Sequence, residues 1–249
     1  MELQGKTALI TGGTAGIGFA IAQLFAKNGA NIIISYMHNT KRAQEAEEKL
    51  KKYGTRILLI QANSGNKKDI WNLFERAKEG GDIDILVNNV GSNIGDNDGK
   101  DDWEIAFQHH IVGTVESCDL FEKQGSKEGK VIINISSVAG IEPLLWYKVF
   151  RNESYCCLKS AINVFTKIRA NAYDGKIRVV AIAPGNTLTE WWEWKNEEII
   201  EQRIKWTLIK RFVSPKEIAL TALHIVQNEA INGQVIVVDG GVVGKGYEK

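Results

Sequence analysis

Cysteine is scarce: the chain has three, Cys118, Cys156 and Cys157, two of them adjacent. They cannot make a disulfide framework, so a reducing cytoplasmic setting is the default. A surplus of either charge is also missing. The 31 Lys and Arg face 30 Asp and Glu, a formal net charge of +1. That balance gives no reason to expect nucleic acid or an anionic membrane surface as a partner. No apolar run is long enough to span a bilayer. The first residues, Met1-Glu2-Leu3-Gln4-Gly5-Lys6, lack the basic-then-apolar order of a secretion signal. His109 and His110 have no spaced partner ligands, so no metal is expected. No repeat, low-complexity tract or linker divides the chain. The expectation is one cytoplasmic domain over residues 1–249.

What is present is alternation. Short β-branched runs at residues 7–11, 31–36, 56–61, 83–88, 131–136, 177–183 and 234–239 read as strands. Most are almost continuously apolar, as strands covered on both faces are. Helical periodicity lies between them at 17–27, 40–52, 69–78, 154–172 and 196–208. Ser214-Pro215-Lys216-Glu217 is a capping box with proline at the first helical position, opening a helix to 226. Strand–helix alternation means right-handed crossovers and a parallel, doubly wound α/β sheet.

The first strand runs into Gly12-Gly13-Thr14-Ala15-Gly16-Ile17-Gly18 at the start of a helix. Glycines there let the backbone turn tightly and approach a pyrophosphate, whose charge sits on the helix N-terminus. The second strand ends Ser35-Tyr36-Met37-His38-Asn39-Thr40-Lys41-Arg42, with no carboxylate to take a ribose 2′-hydroxyl. His38, Lys41 and Arg42 are placed to meet a 2′-phosphate instead. NADP(H) is therefore favoured, with NAD(H) possible. Further on, Val131 to Ile135 leads into Ser136 and Ser137. Tyr155 and Lys159 follow at helical spacing, which puts them on one face about 5–6 Å apart at Cβ.

These motifs resemble the single-domain short-chain dehydrogenases/reductases over nearly the whole chain. The resemblance rests on Thr11-Gly12-x-x-x-Gly16-x-Gly18, Asn88-Asn89-Val90-Gly91, Ile135-Ser136-Ser137, Tyr155-x-x-x-Lys159, Pro184-Gly185 and Val238-Asp239-Gly240-Gly241, in that order. It implies a Rossmann-like seven-stranded sheet in the order 3-2-1-4-5-6-7. It also implies that Ser137 orients a substrate carbonyl, that Tyr155 is the acid, and that Lys159 holds the nicotinamide ribose and lowers the tyrosine pKa. Lowering it from 10 to 7 requires about 4 kcal/mol, which a cation at about 4 Å supplies at an effective dielectric near 20. Gly12, Thr14, Gly16, Ile17, Gly18, Tyr36, His38, Asn63, Asn89, Gly91, Pro184, Gly185, Thr187 and Thr189 are implied as the remaining cofactor contacts. A homodimer or homotetramer is implied as well.

The chain departs from the family pattern in several places. His110, in His110-Ile111-Val112-Gly113, stands where the family has an asparagine that supports a proton-relay water. It is either a substitute catalytic group or an ordinary buried helix histidine. Asn63 replaces an adenine-binding aspartate but still offers a donor and an acceptor. Ala15 stands where many NADP-using relatives have a basic residue. Residues 141–151 lengthen the Ser137–Tyr155 interval and make Trp146 and Tyr147 candidates for a pocket wall. Residues 92–102 and 124–130 look shortened. A lid is expected at about 186–212, with Trp191 and Trp194 against substrate and Trp192 packed inward. The expected reaction is hydride transfer to a ketone, a 3-oxoacyl thioester or similar apolar carbonyl. The alternatives are an enoyl-thioester reductase and a catalytically impaired dinucleotide-binding regulator.

Overall fold

The computed structural model describes residues 1–91, 102–124, 129–144, 152–193 and 195–243, without the side chain of Trp191. Seven parallel strands form one sheet: β1 (Thr7–Ile10), β2 (Asn31–Tyr36), β3 (Ile57–Gln61), β4 (Ile85–Asn88), β5 (Lys130–Ile135), β6 (Ile177–Pro184) and β7 (Val235–Val238). Their order is β3-β2-β1-β4-β5-β6-β7, as expected. Alternate side chains serve opposite faces. Ala8, Ile10, Val131 and Ile133 join the layer under helices α1 (Gly16–Lys27) and α8 (Pro215–Gln227). Leu9 and Ile132 join the layer under α3 (Lys67–Ala77), α5 (Gly113–Lys123) and α6 (Glu153–Ala172). The five central strands are buried on both sides, which is why their runs read as unbroken hydrophobic stretches, while the edge strands β3 and β7 are only partly covered.

Side chains at the N-termini set where several helices begin. Asn39 accepts from Arg42 N to open α2 (Thr40–Lys51), and Asn66 accepts from Lys68 N and Asp69 N for α3. Asn152 caps α6, and Asn196 caps α7 (Glu197–Trp206). Ser214 and Glu217 make the reciprocal box foreseen for α8. The strand expected to reach Thr11 stops at Ile10. There the Thr11 hydroxyl turns to donate to Val87 O and to accept from Asn89 N. No described helix is long and apolar enough to cross a membrane.

One helical segment had no boundaries in the sequence reading. Helix α4 (Trp103–Phe107) passes through a π-helical turn (Gln108–Val112) into α5. Trp103, Ile105 and Phe107, ahead of the turn, are exposed. Gly113 is needed immediately after the turn, because a Cβ there would collide with Ser64 O.

Candidate active site

The carboxyl ends of β1, β4, β5 and β6 surround a cavity of about 240 Å³, where open α/β sheets place ligands. It is lined by Ile17, Asn89, Gly91, Ile135, Ser136, Ser137, Tyr155, Lys159, Pro184, Gly185, Asn186, Thr187, Thr189 and Trp192. Nine of the expected cofactor residues therefore meet in one place.

The docking of α6 on the end of β5 fixes the core of the site. Gly140 allows it, since a Cβ there would lie 2.7 Å from Lys159 O. Ser136 Oγ donates to Lys159 O at 3.1 Å, and Lys159 Nζ donates to Ile135 O at 2.8 Å. Asn152 Oδ1 accepts from Tyr155 N at 2.8 Å, fixing the first turn that carries the phenol. Tyr155 is hydrogen-bonded to Ser137, and Lys159 Nζ lies 5.6 Å from the centre of the tyrosine ring.

The electrostatics depart from the expectation. Burial raises the Tyr155 pKa above its ordinary 10, with the Ser137 hydrogen bond acting against it. Burial also brings Lys159 down to about 7. Desolvation disfavours both charged forms, and it is the largest cause acting on each.

His110 is buried at the centre of the π turn, its ring edge-on to Tyr155 with centroids 5.6 Å apart. Gly91 is required opposite it: a Cβ there would sit 2.6 Å from His110 Nδ1 and 3.0 Å from Lys159 Nζ. Histidine, lysine and tyrosine thus share one packed wall. His109 points elsewhere, with Nδ1 3.4 Å from Ser64 Oγ.

The glycine turn fits a dinucleotide pyrophosphate. Gly12 (φ 62°) carries no Cβ that would press 2.9 Å from Val90 Cγ2, and a Cβ at Gly18 would fall 2.5 Å from Asn89 Nδ2. Asn89 Nδ2 donates to Thr11 O and Gly12 O, pinning the turn to the end of β4. Helix α1 has Ala15 at its N-cap position, so it has no side-chain cap, and no acid lies in its first turn. Its N-terminal amides are therefore left for an anion beside Ile17 and Thr189.

Other expected residues sit along the same sheet edge, outside the cavity. Tyr36 ends β2, and His38, Lys41 and Arg42 are exposed after it. Asn63 Oδ1 accepts from Gly65 N at 2.9 Å, which leaves one lone pair beside the amide donor for a ligand. Trp192 packs inward as expected, its Nε1 donating to Thr187 O at 2.9 Å and its ring tilted 41° against Phe212 with centroids 4.5 Å apart. It also lines the cavity. Trp146, Tyr147 and Trp194 lie outside the described residues, as does the side chain of Trp191. Asn186 and Ser136 were missed. Asn186 directly follows Pro184-Gly185 at the end of a strand, and that position was its available signal.

A family model described as enoyl-(acyl carrier protein) reductase matches residues 12–243. The chain belongs to the short-chain dehydrogenase/reductase family. Glucose 1-dehydrogenase 2 of Bacillus subtilis (strain 168) is 31% identical over 250 residues, covering 97% of this chain and 96% of the relative. The 3-oxoacyl-(acyl-carrier-protein) reductase FabG of Aquifex aeolicus (strain VF5) is 32% identical over 256 residues, covering 97% and 99%. A short-chain dehydrogenase from Burkholderia cenocepacia J2315, solved in complex with NADP, superimposes with a TM-score of 0.85 at 26% identity over 98% of this chain and 100% of that one. As a short-chain dehydrogenase/reductase, the protein is an oxidoreductase acting on the CH–OH/C=O couple.

Proposed function

We propose that the protein is an NADP(H)-preferring reductase of a ketone, with Tyr155 as proton donor. The observation that carries this reading is the Tyr155 phenol, hydrogen-bonded to Ser137 in a pocket that also holds Lys159. When bound, the nicotinamide supplies hydride. Ser137 orients the substrate carbonyl, and Tyr155 gives its proton to the carbonyl oxygen. Lys159 holds the nicotinamide ribose and the wall behind the phenol. Thr189 and Thr187 contact the cofactor from the root of the lid. His110, beside Lys159, takes the place of the family's relay asparagine and positions that wall.

Preference for NADP(H) is supported by the second-strand end, where His38, Lys41 and Arg42 are exposed and no carboxylate competes. The glycine turn supports either dinucleotide. A 3-oxoacyl thioester is the first substrate class to try, because the Aquifex aeolicus relative is named for it. Reduction of an enoyl thioester is the second reading, favoured by the description of the matching family model. A homodimer or homotetramer is supported by α6, which exposes Val164 and Ile168 on its outer face.

The test is steady-state oxidation of NADPH and NADH on a panel of 3-oxoacyl thioesters, simple ketones, hydroxy ketones and enoyl thioesters. Turnover of ketones with a higher kcat/KM for NADPH is expected. Turnover of the enoyl thioester alone, or binding of NADPH without any turnover, would replace the ketone reading with the second reading or with a non-catalytic binder.

A further inference from the structure

Asn186 is 1% exposed and lines the cavity. The polar groups around it have partners inside the protein. The Thr187 hydroxyl donates to Gly185 O at 3.1 Å, and Val213 N donates to the backbone carbonyl of Asn186 at 2.9 Å. Across the cavity Ser136 and Lys159 are bonded to backbone carbonyls. The Asn186 amide differs: both Oδ1 and Nδ2 are buried, and neither has a hydrogen-bond partner. Buried polar atoms are nearly always paired, and an orphaned pair on one side chain is destabilising in the resting fold. Packing gives no reason for the amide, since leucine has a closely similar shape. A buried amide on the wall of a cavity, with donor and acceptor both unused, is arranged for a ligand group that both accepts and donates.

We propose that Asn186 is a specificity-determining residue that reads a hydroxyl on the carbon next to the reacting carbonyl. Such a hydroxyl donates to Oδ1 and accepts from Nδ2 at once. A thioester carbonyl or an ether offers acceptors alone and leaves Oδ1 bare. By the family resemblance Thr189 contacts the nicotinamide amide or the diphosphate, and Asn186 stands with Ser137 and Tyr155 on the cavity that takes the substrate. The inference rests on the ketone reductase reading above and narrows its substrates to hydroxy ketones, with vicinal diols as products.

The experiment compares kcat/KM of the wild-type protein with NADPH on three ketones that differ only at the adjacent carbon: hydroxyl, methoxyl or hydrogen. They are built on a scaffold from the panel that the protein turns over. If the panel gives no turnover, the reductase reading fails and this inference fails with it; turnover without preference sinks this inference alone. The hydroxy ketone should exceed both others by at least about tenfold, because a site built around a hydrogen bond rejects a ligand that lacks it. Asn186→Leu should bring the three ketones to within about threefold of one another and raise the Tm. Equal wild-type rates overturn the proposal, as does a preference that survives in Asn186→Leu. A change confined to NADPH affinity also overturns it, since the amide would then serve the cofactor. If Asn186→Leu does not fold, the wild-type series still decides.

Discussion

At the scale of the residue, Lys159 has a titration that folding perturbs most usefully. Its pKa is about 7 in the fold, against 10.5 for an ordinary lysine, because burial penalises the ammonium. Below about pH 7 both folded and unfolded chains carry the proton. Between about 7 and 10.5 the unfolded chain binds more protons, so stability rises with pH across that window. Tyr155, whose pKa is raised, contributes only above its ordinary value of 10. The Tm of the ligand-free protein should therefore climb from pH 7 to about pH 9, above which the buried Cys118 thiol, pushed up to about 12, offsets the gain. Lys159→Met should flatten that climb and raise the Tm at pH 7, as thermal melts across pH will read. His110 is tested by its pH profile. His110→Phe should keep the ring edge against Tyr155, lower kcat about tenfold, and change the dependence of kcat on pH, with His110→Asn restoring much of it. An unchanged profile in His110→Phe would reduce His110 to packing.

Elements differ in how openly the sequence declares them. The central strands were legible because burial on both faces selects β-branched residues continuously, and β2 came out with the expected bounds. The opening of α8 was legible because a capping box is chemistry local to four residues. That box is also tied to Arg211, which forms paired hydrogen bonds with Glu217 at 2.7 and 2.8 Å. Together with the Ser214 backbone N–H, Arg211 holds the Glu217 pKa down to about 2. A depressed carboxylate contributes stability above its ordinary value of 4.5 that is lost as pH falls toward 2. Glu217→Gln should therefore be less stable than wild type at pH 7 and nearly equal to it at pH 2, as chemical denaturation at both pH values will show. The π turn was illegible, because its single extra residue breaks the 3.6-residue period that the eye follows. The orphaned amide of Asn186 was illegible for another reason: whether a polar atom lacks a partner is decided only when the chain closes around it.

At the scale of the whole molecule, the sheet brings residues from positions 12 to 192 to one rim, and the family motifs foretold that gathering. They did not foretell the balance of charge within it, where desolvation outweighs the attraction expected between Lys159 and the tyrosine. The outer face of α6 carries Val164 and Ile168, 57% and 59% exposed in the single chain. If that face joins copies, replacing both with lysine should lower the mass measured by sedimentation velocity without unfolding the protein. An unchanged mass would place the contact elsewhere. The central claim is that the cavity reduces carbonyls with Tyr155 as the acid. The most direct measurement pairs NADPH binding with single-turnover reduction for Tyr155→Phe, using a ketone that the wild type reduces. NADPH affinity within about threefold of wild type and a reduction rate lowered at least about a hundredfold are predicted. A reduction rate equal to that of the wild type would contradict the account.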